Sequence, residues 1–508
     1  MHKLEIKLKQ HTPLIHFQHD QEGATLRASE VKPKLDKFVL TKLGNGNYEA
    51  GVDIAKTKGW LIGKGDHPAL DYKMRIIDNP DNILTLETNE KREYKKKNED
   101  KDKKNGWKIR IVEHGEIINK PEGKIRLVIE DEDGKRYYAK WRQTDSKVIY
   151  DLDPYPCFFA NMGCDIYDSN EYRKVTFAKD PFQMCILTKH SELYELFNDC
   201  RKKILSSFFL NTNFGTRQSK GFGSFYIDEN EQLYVDPHSK YRFNLPIVED
   251  SYYDEFYSLF EIIELFTKTL RAGINDKRGK DTVFYFKSLA FMYCKDILNA
   301  EWDKKRVKAS FYFNDSPRIK DSLQNQRNRY PNDENHDILY FDSRDGYDIR
   351  DLLGFSTNEE WLSYKDSIEK KVALINNEGR PVFPGKEDTL PVDRMRSPLL
   401  VKPICRIDED DNVSYDIFLL FQDNEVGMDE VKRQQKICFF SKREKNERGS
   451  NKIMLKLPQS FSMSDYFDYI FNKLQIDISE HVEEKYHQHD NYEILNDIYE
   501  QLKDNISQ

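Results

Sequence analysis

A chain of 508 residues exceeds one average domain, so two or three are expected. Charged residues make up 33% and mean hydropathy is −0.80, yet an aromatic share of 13% excludes a disordered chain. A net charge of −8 and a pI of about 5.9 exclude a globally basic nucleic-acid binder and leave room only for a local basic groove.

The cysteines (Cys157, Cys164, Cys185, Cys200, Cys294, Cys405 and Cys438) are odd in number and form no Cys-x-x-Cys pair. That pattern points to a reducing compartment and away from a disulfide scaffold or zinc knuckle. With no signal-peptide pattern and no apolar span of membrane length, a soluble cytoplasmic protein is expected, without a membrane partner.

Leu4, Ile6 and Leu8 alternate with Lys and Glu, which predicts a half-buried first strand ended by Thr12-Pro13-Leu14. A polar connection carrying His16, His19 and Gly23 leads to a helix start containing Arg27, Ser29, Lys32 and Lys34. Ser29 is a candidate cap there, and Pro33 restricts the helix to starting at about that point. Residues 85–150 read as an insertion. Within it, 91–108 holds nine Lys/Arg against four acids and predicts a mobile loop, and Val112 to Trp141 alternates as strands do. Phe182, Met184 and Ile186 predict another strand. Leu193, Leu196, Phe197, Cys200, Ile204 and Phe208 then recur at helical spacing.

Next comes the most informative stretch, Asn-Thr-Asn-Phe-Gly-Thr-Arg-Gln-Ser-Lys-Gly-Phe-Gly-Ser-Phe over 211–225. Gly215, Gly221 and Gly223 allow a backbone of positive φ whose N–H groups can cradle an anion. Arg217 and Lys220 supply charge for phosphates, and Phe214 or Phe222 could stack on an unpaired base. The combination suits single-stranded RNA, and the spacing is neither a Rossmann turn nor a P-loop.

A second unit begins after Tyr241, with an amphipathic helix over 252–271 carrying Phe256, Leu259, Phe260, Ile263, Phe266 and Leu270. A further helix over 289–298 and an alternating stretch 307–313 precede a long polar loop, 315–337. Residues 461–508 read as two helices. His487 and His489 stand two apart, do not share a helical face and have no third ligand nearby, so no metal is expected and no cofactor is implied.

Gly215, Arg217, Gly221, Gly223 and Ser224 match the Gly-x-Arg-x-x-x-Gly-x-Gly-Ser loop of the RAMP superfamily of CRISPR-associated proteins, which this chain resembles. Arg27, Ser29 and Lys32 fall on matching positions of that family's first helix, with Pro33 and Asp36 standing where it favours Gly and Arg. Asp351-Leu-Leu-Gly-Phe355 and Arg394-Met-Arg-Ser-Pro-Leu-Leu-Val401 are most similar to the large two-domain RAMP subunits of type III-B (Cmr) effector complexes. Arg396, Ser397, Pro398 and Leu399 carry their Arg-x-Ser-Pro-Leu segment with one residue fewer.

The resemblance implies an α+β protein of two ferredoxin-like (RRM-like, β-α-β-β-α-β) RAMP domains. These would span 1–240, with the β-rich insertion, and 241–508, with the helical tail. It also implies a non-catalytic subunit that engages guide and target single-stranded RNA near the guide 3′ end. Its partners in antiviral defence would be other RAMP subunits and a large polymerase-like subunit. The RNA contacts would be Gly215, Arg217, Lys220, Gly221, Gly223, Arg27, Lys32 and Lys34, with Arg394 and Arg396 from the second domain. Two alternatives stay open. One is a metal-independent RNA-processing endoribonuclease using His16 or His19, since a histidine of near-normal pKa suits movement of a 2′-hydroxyl proton. The other is a purely structural assembly subunit.

Overall fold

The computed structural model describes residues 1–15, 25–63, 68–77, 174–199, 203–228, 240–249, 252–278, 281–299, 349–356, 397–410, 412–422 and 461–507, with further strands between 83 and 152 and between 358 and 456 as backbone. The chain is α+β and its sheets are antiparallel.

In the first half, β1 (His2–Gln10) leads to α1 (Ala28–Leu43), β2 (Tyr72–Ile77) and β3 (Phe182–Thr188). Then come α2 (Ser191–Phe197), α3 (Lys203–Leu210) and β4 (Phe225–Ile227). The strands form one sheet in the order β4-β1-β3-β2. Leu4, Ile6 and Leu8 point to the helices as the alternation predicts, sharing a core with Val31, Leu35, Val39, Met184, Ile186 and Phe208. The opposite face carries Lys and Glu.

Two local expectations are corrected. Helix α1 begins at Ala28 and runs through Pro33, with Arg27 rather than Ser29 at the N-cap. Proline removes one helical hydrogen bond there, and the fully buried stripe of Val31, Leu35 and Val39 offsets the loss. The single helix expected over 193–208 is two, Ser191–Phe197 and Lys203–Leu210, and Asp199 Oδ1 accepts the Lys203 N–H at 2.6 Å between them.

The insertion is a separate sheet. Strand Ile83–Glu87 pairs with Lys174–Ala178, and between them six strands form a sheet of their own. Glu93–Lys95 is an outer strand of that sheet rather than loop. The remainder of 91–108 lies outside the described residues, as do 307–313 and 315–337.

In the second half, β5 (Arg242–Pro246) is followed by α4 (Tyr252–Arg271), the hairpin Ile274–Arg278/Asp281–Phe286 and the helix Leu289–Asp296. Strands β6 (Leu399–Ile407) and β7 (Val413–Phe421) complete a sheet of order β5-β7-β6. The expected pair of tail helices is segmented. Met463–Asp468 runs into a π turn, Tyr469–Lys473, and the long α5 (Asp490–Ser507) follows two short turns. Gln501 of α5 hydrogen-bonds both the N–H and the C=O of Asn244, so the outer edge of β5 is closed by a side chain.

The hairpin β6–β7 joins the halves. Leu400, Ile404, Phe418 and Leu420 pack into the first core, while Leu399, Val401, Tyr415, Ile417 and Leu419 pack into the second. Burial on both faces explains why these strands read as nearly unbroken apolar runs.

Candidate nucleic-acid interface

The glycine loop lies where β1, α1, α4 and β6 meet. Its three glycines have φ of +74° (Gly215), +93° (Gly221) and +65° (Gly223). A Cβ at Gly223 would stand 2.0 Å from the Phe214 carbonyl oxygen, and one at Gly215 would stand 2.4 Å from the Ile15 carbonyl oxygen. At Gly221 it would meet the Pro403 ring of the second half at 2.9 Å. Close backbone passage, as well as positive φ, demands glycine here.

The three glycine amides are already committed within the protein, so they do not form the expected anion cradle. Gly215 N–H donates to Glu30 Oε1 (2.9 Å), Gly221 N–H to the Gln218 carbonyl (3.2 Å) and Gly223 N–H to the Pro13 carbonyl (2.9 Å). The aromatics are core residues too. Phe214 and Phe222 are fully buried, so neither offers a face to a base.

Polar contacts fasten the loop to the second half. Asn213 Nδ2 donates to the Val401 carbonyl (2.9 Å) and Ser224 Oγ to the Pro403 carbonyl (2.6 Å). Lys402, fully buried, reaches back from β6 and donates to the Thr212 (3.0 Å) and Phe225 (2.9 Å) carbonyls. Desolvation holds its pKa well below the ordinary lysine value. Beside it His11 accepts the Cys405 N–H at 3.1 Å, and burial, reinforced by Lys402 and Lys9, keeps its pKa well below 6.5.

The loop carries two cations: Lys220 is an exposed residue and Arg217 is half-buried. Arg217 occupies the left-handed region at φ +53°, a strained conformation for a residue of its type. The Lys220 ammonium lies against α4, 3.3 Å from Thr267 Oγ1. Desolvation, with Arg271, Arg217 and Lys268 nearby and Glu264 opposing, pushes its pKa down to about 8. Arg271 is anchored by the Arg350 (3.0 Å) and Gly354 (2.8 Å) carbonyls and lies 3.5 Å from Asp351. Four cations from two halves therefore converge at one end of α4, against Glu264 and Asp351.

The predicted residues of α1 divide. Lys32 is taken up internally: its ammonium binds Asp36 (2.7 Å) and the Leu70 carbonyl (3.0 Å) and sits over the Tyr72 ring. It fixes α1 to the sheet, and the expectation of an RNA contact is corrected accordingly. Lys34 stands at the loop, 3.3 Å from the Asn213 carbonyl and 3.5 Å from Glu30, with its side chain one-third exposed. Arg27 is the half-buried N-cap of the same helix.

His16, His19 and Arg396 lie outside the described residues, and Arg394 is placed as backbone only, opposite Ser356 in a two-stranded pair. His487 and His489 are occupied near the start of α5. The first bonds the Val482 carbonyl at 2.8 Å and stacks on Tyr492, and the second accepts the Asn491 N–H. Among the described residues no cluster of His, Cys, Asp and Glu is placed to hold a metal ion, and no helix is long and apolar enough to cross a membrane. Sequence reasoning missed Lys268 and Arg271. Their signal is the pair of cations in the last turn of α4, beside the apolar stripe.

Comparison with protein families gives matches along most of the chain. Residues 1–120 and 86–274 match the Cmr1 N-terminal domain, and residues 285–503 match the Cmr1 C-terminal domain. No curated protein gives a significant match.

Proposed function

The chain belongs to the Cmr1 family, RAMP subunits of the type III-B (Cmr) CRISPR effector complex, and from that premise we propose that it is a non-catalytic RNA-binding subunit. It holds guide and target RNA near the guide 3′ end in the cytoplasm, beside other RAMP subunits and the polymerase-like subunit. The observation that carries this reading is the convergence of Arg217, Lys220, Lys268 and Arg271, where Lys220 and Lys268 are exposed, on a chain with net charge −8. Local concentration of positive charge on an acidic protein is what a polyanion needs. Arg27 and Lys34 of α1 extend the track from the other side of the loop, and Arg394 and Arg396 are the proposed contacts of the second half.

A ferredoxin-like first domain fits this reading. Its strands lie in the order fourth, first, third, second, with helices after the first and third. The contact is with phosphates and carries no sequence choice, which is left to base pairing with the guide. The test is binding of a labelled single-stranded RNA to the full chain. Arg217→Ala with Lys220→Ala should weaken it at least tenfold with the fold intact, and unchanged affinity would remove the loop from the account. Metal-free incubation with a CRISPR-repeat RNA checks the non-catalytic assignment. A 2′,3′-cyclic phosphate product, lost in a His19→Ala variant, would establish a processing ribonuclease instead.

A further inference from the structure

The face of the first sheet turned away from its helices carries a second concentration of charge. On β1, Lys3, Glu5, Lys7 and Lys9 point outward, because Leu4, Ile6 and Leu8 point in. Two strands away on β2, Lys73 and Arg75 are exposed on the same face, in register through β3: Cys185 lies between Glu5 and Arg75, and Leu187 between Lys3 and Lys73. Five cations thus share this face with Glu5 and, just past β4, the exposed Asp228. Lys3 pairs with Glu5, whereas Lys7, Lys9, Lys73 and Arg75 have no ion-pair partner among the described residues.

We propose that this sheet face is a second RNA-binding surface, taking the phosphate backbone of a single strand across β1 and β2. The proposal rests on the RNA-binding reading above. Cations two residues apart on a strand stand about 7 Å apart, and the two cationic strands are about 10 Å apart, so a chain of phosphates can meet several at once. The residue types decide against a protein partner. Protein interfaces are poor in Lys at their centre and depend on aromatic or other apolar anchors, whereas nucleic-acid interfaces are polar and strongly positive. Here Ile77, at 37% exposure, is the one large hydrophobic residue of the face counted as exposed among the described residues. Tyr226, beside Lys9, is buried, so no ring is offered for stacking and the contact is with phosphate alone.

The experiment compares the full chain with two variants, Lys7→Ala/Lys9→Ala/Lys73→Ala/Arg75→Ala on the sheet and Arg217→Ala/Lys220→Ala at the loop. Affinity for a labelled oligouridylate is measured across a salt series, with circular dichroism as the folding control. The sheet variant should bind at least tenfold more weakly, with a salt slope flatter by about 2 to 3, since each single-strand phosphate contact contributes about 0.7. Lys73→Glu with Arg75→Glu, confined to an outer strand, should give a loss of several-fold and keeps the test valid should the fourfold variant misfold. Wild-type affinity in the sheet variants, with binding lost at the loop, overturns this inference and leaves the first reading standing. Wild-type affinity for RNA combined with failure to join the other Cmr subunits overturns it in favour of a protein-docking face. No binding by the unaltered chain removes both.

Discussion

Phe222 of the glycine loop lies flat on Phe260 of α4, with ring centroids 3.8 Å apart and planes within 2° of parallel. One ring comes from each half of the chain, and both are buried. The motif that reads as a ligand loop is therefore also a joint of the molecule, so a change in it acts on stability whatever the loop binds. Phe222→Ala should cost about 3–5 kcal/mol by cavity formation and loss of the ring pair, whereas Phe222→Leu should recover part of this. Urea denaturation measures both.

Glycines of positive φ are not equivalent. Gly223→Ala places a methyl group 2.0 Å from the Phe214 carbonyl oxygen, so backbone must move, and the variant should lose several kcal/mol or fail to accumulate as folded protein. Gly46 also has positive φ (+96°) but has nothing within 4 Å of a Cβ, so Gly46→Ala should cost only about 1 kcal/mol. Comparable melting temperatures for the two variants would refute the packing argument.

Much of this is legible along the chain because it is local. Alternation fixes β1, helical spacing fixes α4, and Gly-x-Arg-x-x-x-Gly-x-Gly-Ser locates the loop without any knowledge of its neighbours. The chemistry of the loop is less legible, because it depends on residues far away. Ser224 meets Pro403 across 179 residues, and Asn213 meets Val401 across 188. Such contacts turn Phe214 and Phe222 from stacking platforms into core, while Glu30 and Pro13, far along the chain, take the amides of Gly215 and Gly223. Lys32 is claimed by Asp36, the residue that departs from the family pattern, so that departure is itself the clue. Lys268 and Arg271 emerge as partners of Lys220 only once α4 is laid beside the loop.

The seam between the halves should be sensitive to acid. His11 is buried with its pKa held well below 6.5 and must be neutral to accept the Cys405 N–H. Between its depressed folded value and about 6.5, the unfolded chain takes up a proton that the folded chain does not, so stability is lost as pH falls through that window. His11→Asn keeps an acceptor near Nδ1 but does not titrate. Its loss of stability between pH 7 and pH 5 should be smaller than that of the unaltered protein, as read by chemical denaturation at each pH.

The RNA contact proposed for Lys220 should also depend on pH, in the opposite direction. Its pKa is pushed down to about 8 by desolvation and the neighbouring cations, so the free protein sheds this charge as pH rises through 8. A phosphate placed against the ammonium would favour its protonated form, so binding above pH 8 must be accompanied by proton uptake. RNA affinity should fall between pH 7 and pH 9, where ordinary lysines and arginines keep their charge and phosphodiesters do not titrate. Lys220→Arg, which stays charged throughout, should bind with little pH dependence over that range, whereas Lys220→Ala should be weaker at pH 7 and equally flat. An affinity that falls alike in all three proteins would place the titrating group elsewhere.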